Sequence, residues 1–580
     1  METQQVEQRG MRLGRISCQL WLLIITVSIF SASMYIVFES KLNSDACLLR
    51  RLLDKGLPTE QLSDLAPQTD KEDALFTPSP PAIKPKQMME MVTLSKASVL
   101  RQYLENGSTA CHLVATARGH VFGLPITSEG DITLSTDEDH DFLIVSYAEN
   151  GKRRCSGGDY YEVDISGPRW KHRPPVQDLG NGSYLVRLRV HNQFEDVYQL
   201  KIILLFSNLH GLNQNPDRWA IYNTMKDKDP TFLATVHFRD DPALKHPDQK
   251  PSHAELPLCT TSDFGRSSWR GRWTRTKINE SCTADNRGRF KCFPADEDCG
   301  TNWCKGHLGR LESTGWVYSS HCSFRIFNQH DAWSCLRDKW IYFWGDSNHQ
   351  DSSRNLLNFF LGYDFPRGYL PRSYDRNFSN PENPNNSLRI TTLFNGHDDD
   401  RLNYKGLMSL RNDSYRERIR SSFVTGGKTP DFVILNSGLH DCHFWWNFTQ
   451  YVEAAEYAST FWYSTWSEVD ENVERRPKVV YRTTVTPSGP TRARVINPQK
   501  VEAMNAVMVD SFLSKFGAEN LKVVDAFDMS FPFHFDELYS DGQHYGRMPD
   551  FYYWIKGGHH YFVDLMLINI HLNIMCPLES

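Results

Sequence analysis

Gly345-Asp346-Ser347 follows the apolar run Lys339–Trp344 (KWIYFW) and precedes a stretch with helical spacing, Gln350–Leu361. A serine at a strand-to-helix corner projects from the end of a sheet. Its own N–H then lies at a helix start, where unpaired donors and the dipole favour an oxyanion. Serine is a weak nucleophile unless a base lies within hydrogen-bonding reach. Asp541-Gly542-Gln543-His544 could supply that base, in a loop beyond the last apolar strand, with Gly546 and Pro549 close by. In this arrangement His544 takes the proton of Ser347 and returns it to the leaving group, while Asp541 fixes the imidazole tautomer. Taken singly, a G-D-S triplet arises by chance and D-x-x-H is more often a surface pair. Both lying in one domain, in strand-end contexts, points to acyl chemistry.

Two more strand ends carry candidate oxyanion donors. Asn436-Ser437-Gly438-Leu439-His440-Asp441 follows Asp431–Leu435 (DFVIL), and offers the Asn436 amide or the Gly438 N–H. Phe394-Asn395-Gly396-His397-Asp398 offers the Gly396 N–H. Asn and Gly are also favoured where a strand simply exits to a loop. His440, Asp441 and His443 are metal-capable types, but spacing alone does not define a ligand set, and no metal is expected. Trp344, Phe444, Trp445, Trp446 and Tyr545 stand near these motifs, as a sugar-stacking platform or as core.

These residues need a scaffold. DFVIL, Lys478–Val485 (KVVYRTTV) and Leu521–Phe527 (LKVVDAF) join KWIYFW as near-continuous apolar strands. Helical spacing at Tyr451–Glu468 and Pro498–Phe516 alternates with them. That pattern predicts a three-layer α/β domain over 336–580, its parallel sheet covered on both faces and its site at the carboxyl strand ends. Upstream, Asp141–Ala148, Tyr160–Ile165, Gly182–Val190 and Asp196–Phe206 are short strand-like runs separated by glycine turns. They predict an antiparallel all-β sandwich over 91–250. Residues 251–335 form a cysteine-rich segment with Cys259, Cys282, Cys292, Cys299, Cys304, Cys322 and Cys335. The paired C-x2-C elements of zinc modules are missing there, which favours disulfides.

The N-terminus sets the compartment. Arg9, Arg12 and Arg15 precede an uncharged run, and a span over 17–38 is long enough for a bilayer. This gives a type II signal-anchor: a cytoplasmic tail at 1–16, one membrane helix at 17–38 and a proline-rich stem at 39–90. A cleaved signal, with Ser31-Ala32-Ser33 at its cleavage site, is the alternative. Either way most of the chain enters the secretory pathway, as a Golgi membrane protein or as a secreted one. Of 13 cysteines, Cys18 lies in the apolar run, leaving an even twelve for disulfides. Sequons at Asn106, Asn181, Asn279, Asn377, Asn385, Asn412 and Asn447 suit a glycoprotein. A net charge of −6 argues against a nucleic-acid partner. With 40% hydrophobic and 12% aromatic residues, the 580-residue chain has enough apolar mass for two or more cores.

WGDSN (344–348), LNSGLHD (435–441) and DGQHYGR (541–547) resemble the PC-esterase branch of the SGNH hydrolase-like superfamily. CSGGDYYEVDISG (155–167) and the cysteine-rich region after it resemble neurexophilin. In this order the motifs resemble the neurexophilin and PC-esterase domain (NXPE) family. The resemblance implies Ser347 as nucleophile with Asp541 and His544, and maps Gly396 and Asn436 less securely to the oxyanion. It further implies O-acetylation chemistry on glycan hydroxyls, such as those of sialic acid, by an esterase or a transferase. No bound cofactor is implied; acetyl-CoA would be an acyl-donor substrate. Asn348 stands where GDSL lipases carry leucine, which weakens a lipase reading. The neurexophilin-like half implies an alternative, a non-catalytic ligand that binds extracellular protein domains.

Overall fold

The computed structural model describes residues 114–577 except 129, 214–230, 242, 244–255, 267–268, 275–315, 367, 397–404, 425–426, 446, 469–475, 490–494, 536–539 and 548–561. The tail, span and stem expected at 1–90 lie outside them, as do Asn106, Asn279, Cys282, Cys292, Cys299, Cys304, His397, Asp398, Trp446 and Pro549. Among the described residues no helix is long and apolar enough to cross a membrane.

Short strands, some of them with period-two alternation, build the first half. The strands are β1 (Thr116–Phe122), β2 (Ile132–Ser135), β3 (His140–Ala148), β4 (Tyr160–Ser166), β5 (Trp170–His172), β6 (Val176–Asp178), β7 (Ser183–Leu188), β8 (Asp196–Phe206), β9 (Phe232–Arg239), β10 (Arg272–Thr274) and β11 (Val317–Ser319). They form two sheets, β1-β3-β7-β6 and β11-β10-β5-β4-β8-β9-β2. Along β8, Tyr198, Leu200 and Ile202 point inward, where they meet Ile144, Tyr184 and Val186 of the other sheet in one core. Each such side chain contributes about 1.5–3 kcal/mol by leaving water. Pairing is antiparallel apart from β2 with β9, which are parallel, a departure from the all-antiparallel expectation. The cysteine-rich segment supplies β10 and β11 to the larger sheet. Its Trp273, Trp316, Tyr318 and Phe324 belong to the core of the α/β domain.

That domain runs α1 (Gln329–Leu336), β12 (Lys339–Gly345), α2 (Ser347–Asn355, extended by a π turn, Leu356–Phe360), β13 (Tyr374–Ser379), β14 (Ser387–Phe394), α3 (Asp413–Phe423), β15 (Phe432–Leu435), α4 (Leu439–Phe444), α5 (Phe448–Ser467), β16 (Lys478–Arg482), α6 (Pro498–Asn520), β17 (Leu521–Val524), α7 (Ala526–Ser530) and α8 (Phe562–Met575). Its sheet has the order β13-β14-β12-β15-β16-β17. Only the edge strand β13 is antiparallel. The parallel strands therefore follow the doubly wound 2-1-3-4-5 order, whose switch point is the carboxyl end of β12 beside β15. Alternate residues of β12 enter opposite cores. Ile341 and Phe343 pack towards α8, while Trp340, Tyr342 and Trp344 pack towards α5 and α6. This makes three layers and explains why KWIYFW shows no polar alternation.

Cys259–Cys322 and Cys335–Cys576 are disulfides, and Cys155 is also disulfide-bonded. Cys442 is free and buried, so the even set of twelve is corrected. Its thiol donates to Met504 Sδ at 3.6 Å, and burial pushes it up to about 12. The described sequon residues Asn181, Asn377, Asn385, Asn412 and Asn447 are all exposed. Polar contacts, one part-buried and one fully buried, join the sandwich to the α/β domain. Arg173 holds Glu502 through two bonds of 3.0 and 2.6 Å, and His534 Nε2 lies 2.9 Å from Glu162 Oε1.

Candidate active site

Ser347 is the first residue of α2, directly after β12. Asp346 caps the helix: its Oδ1 accepts from Asn348 N at 2.9 Å. The Ser347 N–H, at N1, has no intrahelical acceptor and remains available to an oxyanion. Gly345 is fixed by space, because a Cβ there would lie 2.2 Å from His349 Nδ1. His349 is buried under the turn, and burial, then Arg482 and His571, hold its imidazole well below the ordinary histidine range.

Ser347 Oγ lies 2.6 Å from His544 Nε2. His544 Nδ1 lies 2.9 Å from each oxygen of Asp541. With Nδ1–H donating to that carboxylate, Nε2 carries the lone pair that accepts from the serine hydroxyl. Asp541 Oδ1 also accepts from Gln543 N at 3.0 Å and His544 N at 2.9 Å, so one carboxylate shapes the turn and orients the ring. Burial opposes ionisation of Asp541. The His544 charge and hydrogen bond, then Arg547 and the Gln543 amide, outweigh it and hold the group well below the usual carboxylate range. Gly542 takes φ +106°, a conformation that favours glycine. Asn348 ties helix to loop by donating to Gln543 O at 3.2 Å, a task leucine could not perform.

The expected oxyanion donors are placed unevenly. Asn436 donates its amide to Arg482 O at 3.0 Å and Thr484 Oγ1 at 3.1 Å. An amide has two N–H donors, so both are engaged in tying β15 to β16. The Asn436 amide thus offers no free donor in this structure. Asn395 performs the same task between β14 and β15, donating to Asn436 O at 3.0 Å and Ser437 Oγ at 3.1 Å. Gly396 is buried just past β14, and Gly438 directly precedes α4. Those two strands flank β12. A Cβ on Gly438 would lie 2.1 Å from Thr484 Oγ1, so that backbone lies close against β16's exit.

His440, Asp441 and His443 do not act as one ligand set. Asp441 is fully buried and accepts from Leu407 N and Trp445 Nε1, each at 2.9 Å, and from Ser437 Oγ. Burial pushes its carboxyl up to about 6 despite these donors. His440 packs edge-on against Phe394 at 5.2 Å; burial lowers it to about 4, with Asp346 opposing and His544 and Arg372 reinforcing. Among the described residues Asp263, His321 and Cys322 lie close enough to share an ion, but Cys322 is bound to Cys259. Four of the aromatic residues near the motifs are described, and they are core. Trp344, Trp445 and Tyr545 are buried, and Phe444 packs on the α5–α6 core.

No family model matches the chain, and no curated protein does. Among solved structures it is similar to Axe2, an acetylxylan esterase from Geobacillus stearothermophilus, at 14% identity over 41% of this chain and 95% of that one, TM-score 0.24. A variant of Axe2, an acetyl-xylooligosaccharide esterase from Geobacillus, matches at 12% identity over 42% and 98%, TM-score 0.26. The Lin-41 filamin domain matches at 12% identity over 22% and 99%, TM-score 0.15. Scores this low carry no activity across. What defines the site is its own chemistry: a serine, an imidazole and a carboxylate in hydrogen-bonded sequence at the switch point of a doubly wound sheet.

Proposed function

We propose that this protein is a serine-dependent O-acyl esterase or transferase with an SGNH-like catalytic domain, of the NXPE type, acting on glycan hydroxyls in the secretory pathway. The observation that carries the reading is the 2.6 Å contact of Ser347 Oγ with His544 Nε2, backed by Asp541 at 2.9 Å. His544 removes the hydroxyl proton as Ser347 Oγ attacks the acyl carbonyl. The Ser347 N–H, with Gly396 or Gly438 N–H beside it, holds the oxyanion. Collapse expels the leaving group, which takes the proton from His544, and leaves an ester on Ser347. A sugar hydroxyl then attacks that ester while His544 accepts its proton; the bond from the acyl carbon to Ser347 Oγ breaks, His544 returns the proton to Oγ, and the acylated glycan leaves. Water in place of the sugar gives hydrolysis, so exclusion of water decides between transferase and esterase. Acetyl-CoA is a suitable donor substrate, and sialylated glycans suitable acceptors.

The test uses the full chain and its Ser347→Ala variant, with acetylated glycans, and with acetyl-CoA plus unmodified glycans. The expected result is turnover on at least one pair, an acetyl adduct on Ser347, and loss of both in the variant with an unchanged melting curve. Equal turnover by the variant would overturn the assignment. An inert wild type would favour a ligand role for the sandwich instead.

A further inference from the structure

The loop that carries His544 is held by more than the Ser347–His544–Asp541 chain. Gly546 O accepts from two side chains of α2: Arg354 Nη2 at 2.7 Å and Asn355 Nδ2 at 2.8 Å. A Cβ on Gly546 would lie 2.3 Å from Asp564 Oδ2, so this backbone is pressed against α8. Asp564 in turn accepts from Asn355 Nδ2 at 2.7 Å and Ser352 Oγ at 2.6 Å. Arg547 closes the circuit. Its Nε donates to Asp351 Oδ2 at 3.2 Å, and its Nη1 lies 3.7 Å from Asp541 Oδ2. The other oxygen of Asp351 accepts from Arg354 Nη1 at 3.1 Å. Asp351, Arg354 and Asn355 lie four, seven and eight residues after Ser347, on the same stripe of the helix.

We propose that Arg547 is a positioning residue which, with Asp351, Arg354 and Asn355, clamps the His544 loop to the helix of the nucleophile. The role in acyl transfer rests on the reading of Ser347 given above; the clamp itself does not. An irregular loop cannot hold a 2.6 Å contact through one hydrogen bond, and a misplacement of about 1 Å can cost about 100-fold in rate. Arg547 does so from both sides, bonding to the helix through Asp351 and standing beside the carboxylate that orients the ring. Arg354 and Asn355 fix the preceding residue of the loop through the Gly546 carbonyl.

The charged and titratable groups around His544 are Asp541 and Arg547 from its own loop, Asp351 from α2 and His440 from α4, and His440 in turn faces Asp346 of the α2 cap. Removing the Arg547 cation leaves the anions uncompensated, which favours the imidazolium. The measurement is a histidine-selective NMR titration of the full chain, with the His544 resonance assigned by its loss in His544→Gln. Turnover against pH is measured in parallel. Arg547→Gln should raise the midpoint and lower kcat by about 10–100-fold with KM within about twofold. Arg547→Lys should restore the midpoint, because the charge returns. It should recover only part of the rate, because the fork that reaches Asp351 and Asp541 together does not return. Superimposable titrations and a kcat within about twofold for Arg547→Gln would overturn the proposal. If the wild type turns nothing over, the enzymatic reading fails, and the titration still decides whether Arg547 acts on His544.

Discussion

Asp541→Asn separates a catalytic carboxylate from one that merely shapes a loop. The amide keeps an oxygen for the Gln543 and His544 backbone N–H groups, at 3.0 and 2.9 Å, so the turn survives. Its NH2 must then face His544 Nδ1. An N–H there repels Nδ1–H and favours the tautomer with its proton on Nε2, where the ring can no longer accept from Ser347. The imidazolium formed during reaction also loses its counter-charge. Unit charges about 4 Å apart interact by about 4 kcal/mol at an effective dielectric constant of 20. That corresponds to about 10³-fold in rate, and the tautomer error adds to it. The assay is kcat/KM on an acetyl ester with a melting curve alongside. The expected result is a loss of at least about 10³-fold with Tm held within a few degrees. A variant within tenfold of wild type and equally stable would refute the orienting role of Asp541.

Three further outcomes concern Asn436, Asp528 and Cys442. Asn436→Ala should strip donors from Arg482 O and Thr484 Oγ1 and cost about 1–3 kcal/mol in stability; a rate loss of about 100-fold with unchanged Tm would instead restore it as an oxyanion donor. Asp528 is pushed by burial, then by Asp525, up to about 7. Raised above its unfolded value, this group favours the fold fully at low pH, and its contribution is lost as pH rises to about 7. Asp528→Asn should therefore gain Tm relative to wild type between about pH 4 and 7, with a flat difference above, and a pH-independent difference would contradict this. Cys442, buried with its thiol raised to about 12, should stay unmodified by iodoacetamide at pH 8 in the native protein and react on unfolding, as read by peptide mass mapping. Rapid native labelling would show the site to be open.

The strands of the α/β sheet were legible because burial on both faces leaves an unbroken apolar run, as in KWIYFW and DFVIL. The site followed from them, since strand ends fix where Ser347 lies. Three features escaped for physical reasons. Phe562–Met575 is buried all round and so lacks the one-sided stripe by which a helix is read. The pair Tyr374–Ser379 and Ser387–Phe394 has a half-exposed edge with mixed polarity, so only the end at Phe394 was read and the course of neither strand. Asn436 was an apt donor by type and place, but its amide is satisfied across the sheet, and a sequence does not show which partner a side chain meets. Asn348 departed from the lipase pattern, and only its contact with Gln543 O explained the choice. The clamp did leave a trace: Ser347, Asp351, Arg354 and Asn355 recur at helical spacing.

The most direct test of the central claim is covalent capture of the nucleophile. The full chain is treated with a fluorophosphonate, digested and mapped by mass spectrometry, with His544→Ala in parallel. A catalytic Ser347 should give a single adduct in the wild type, nearly lost in the variant. An adduct confined to another residue, or equal labelling of Ser347 without His544, would contradict it.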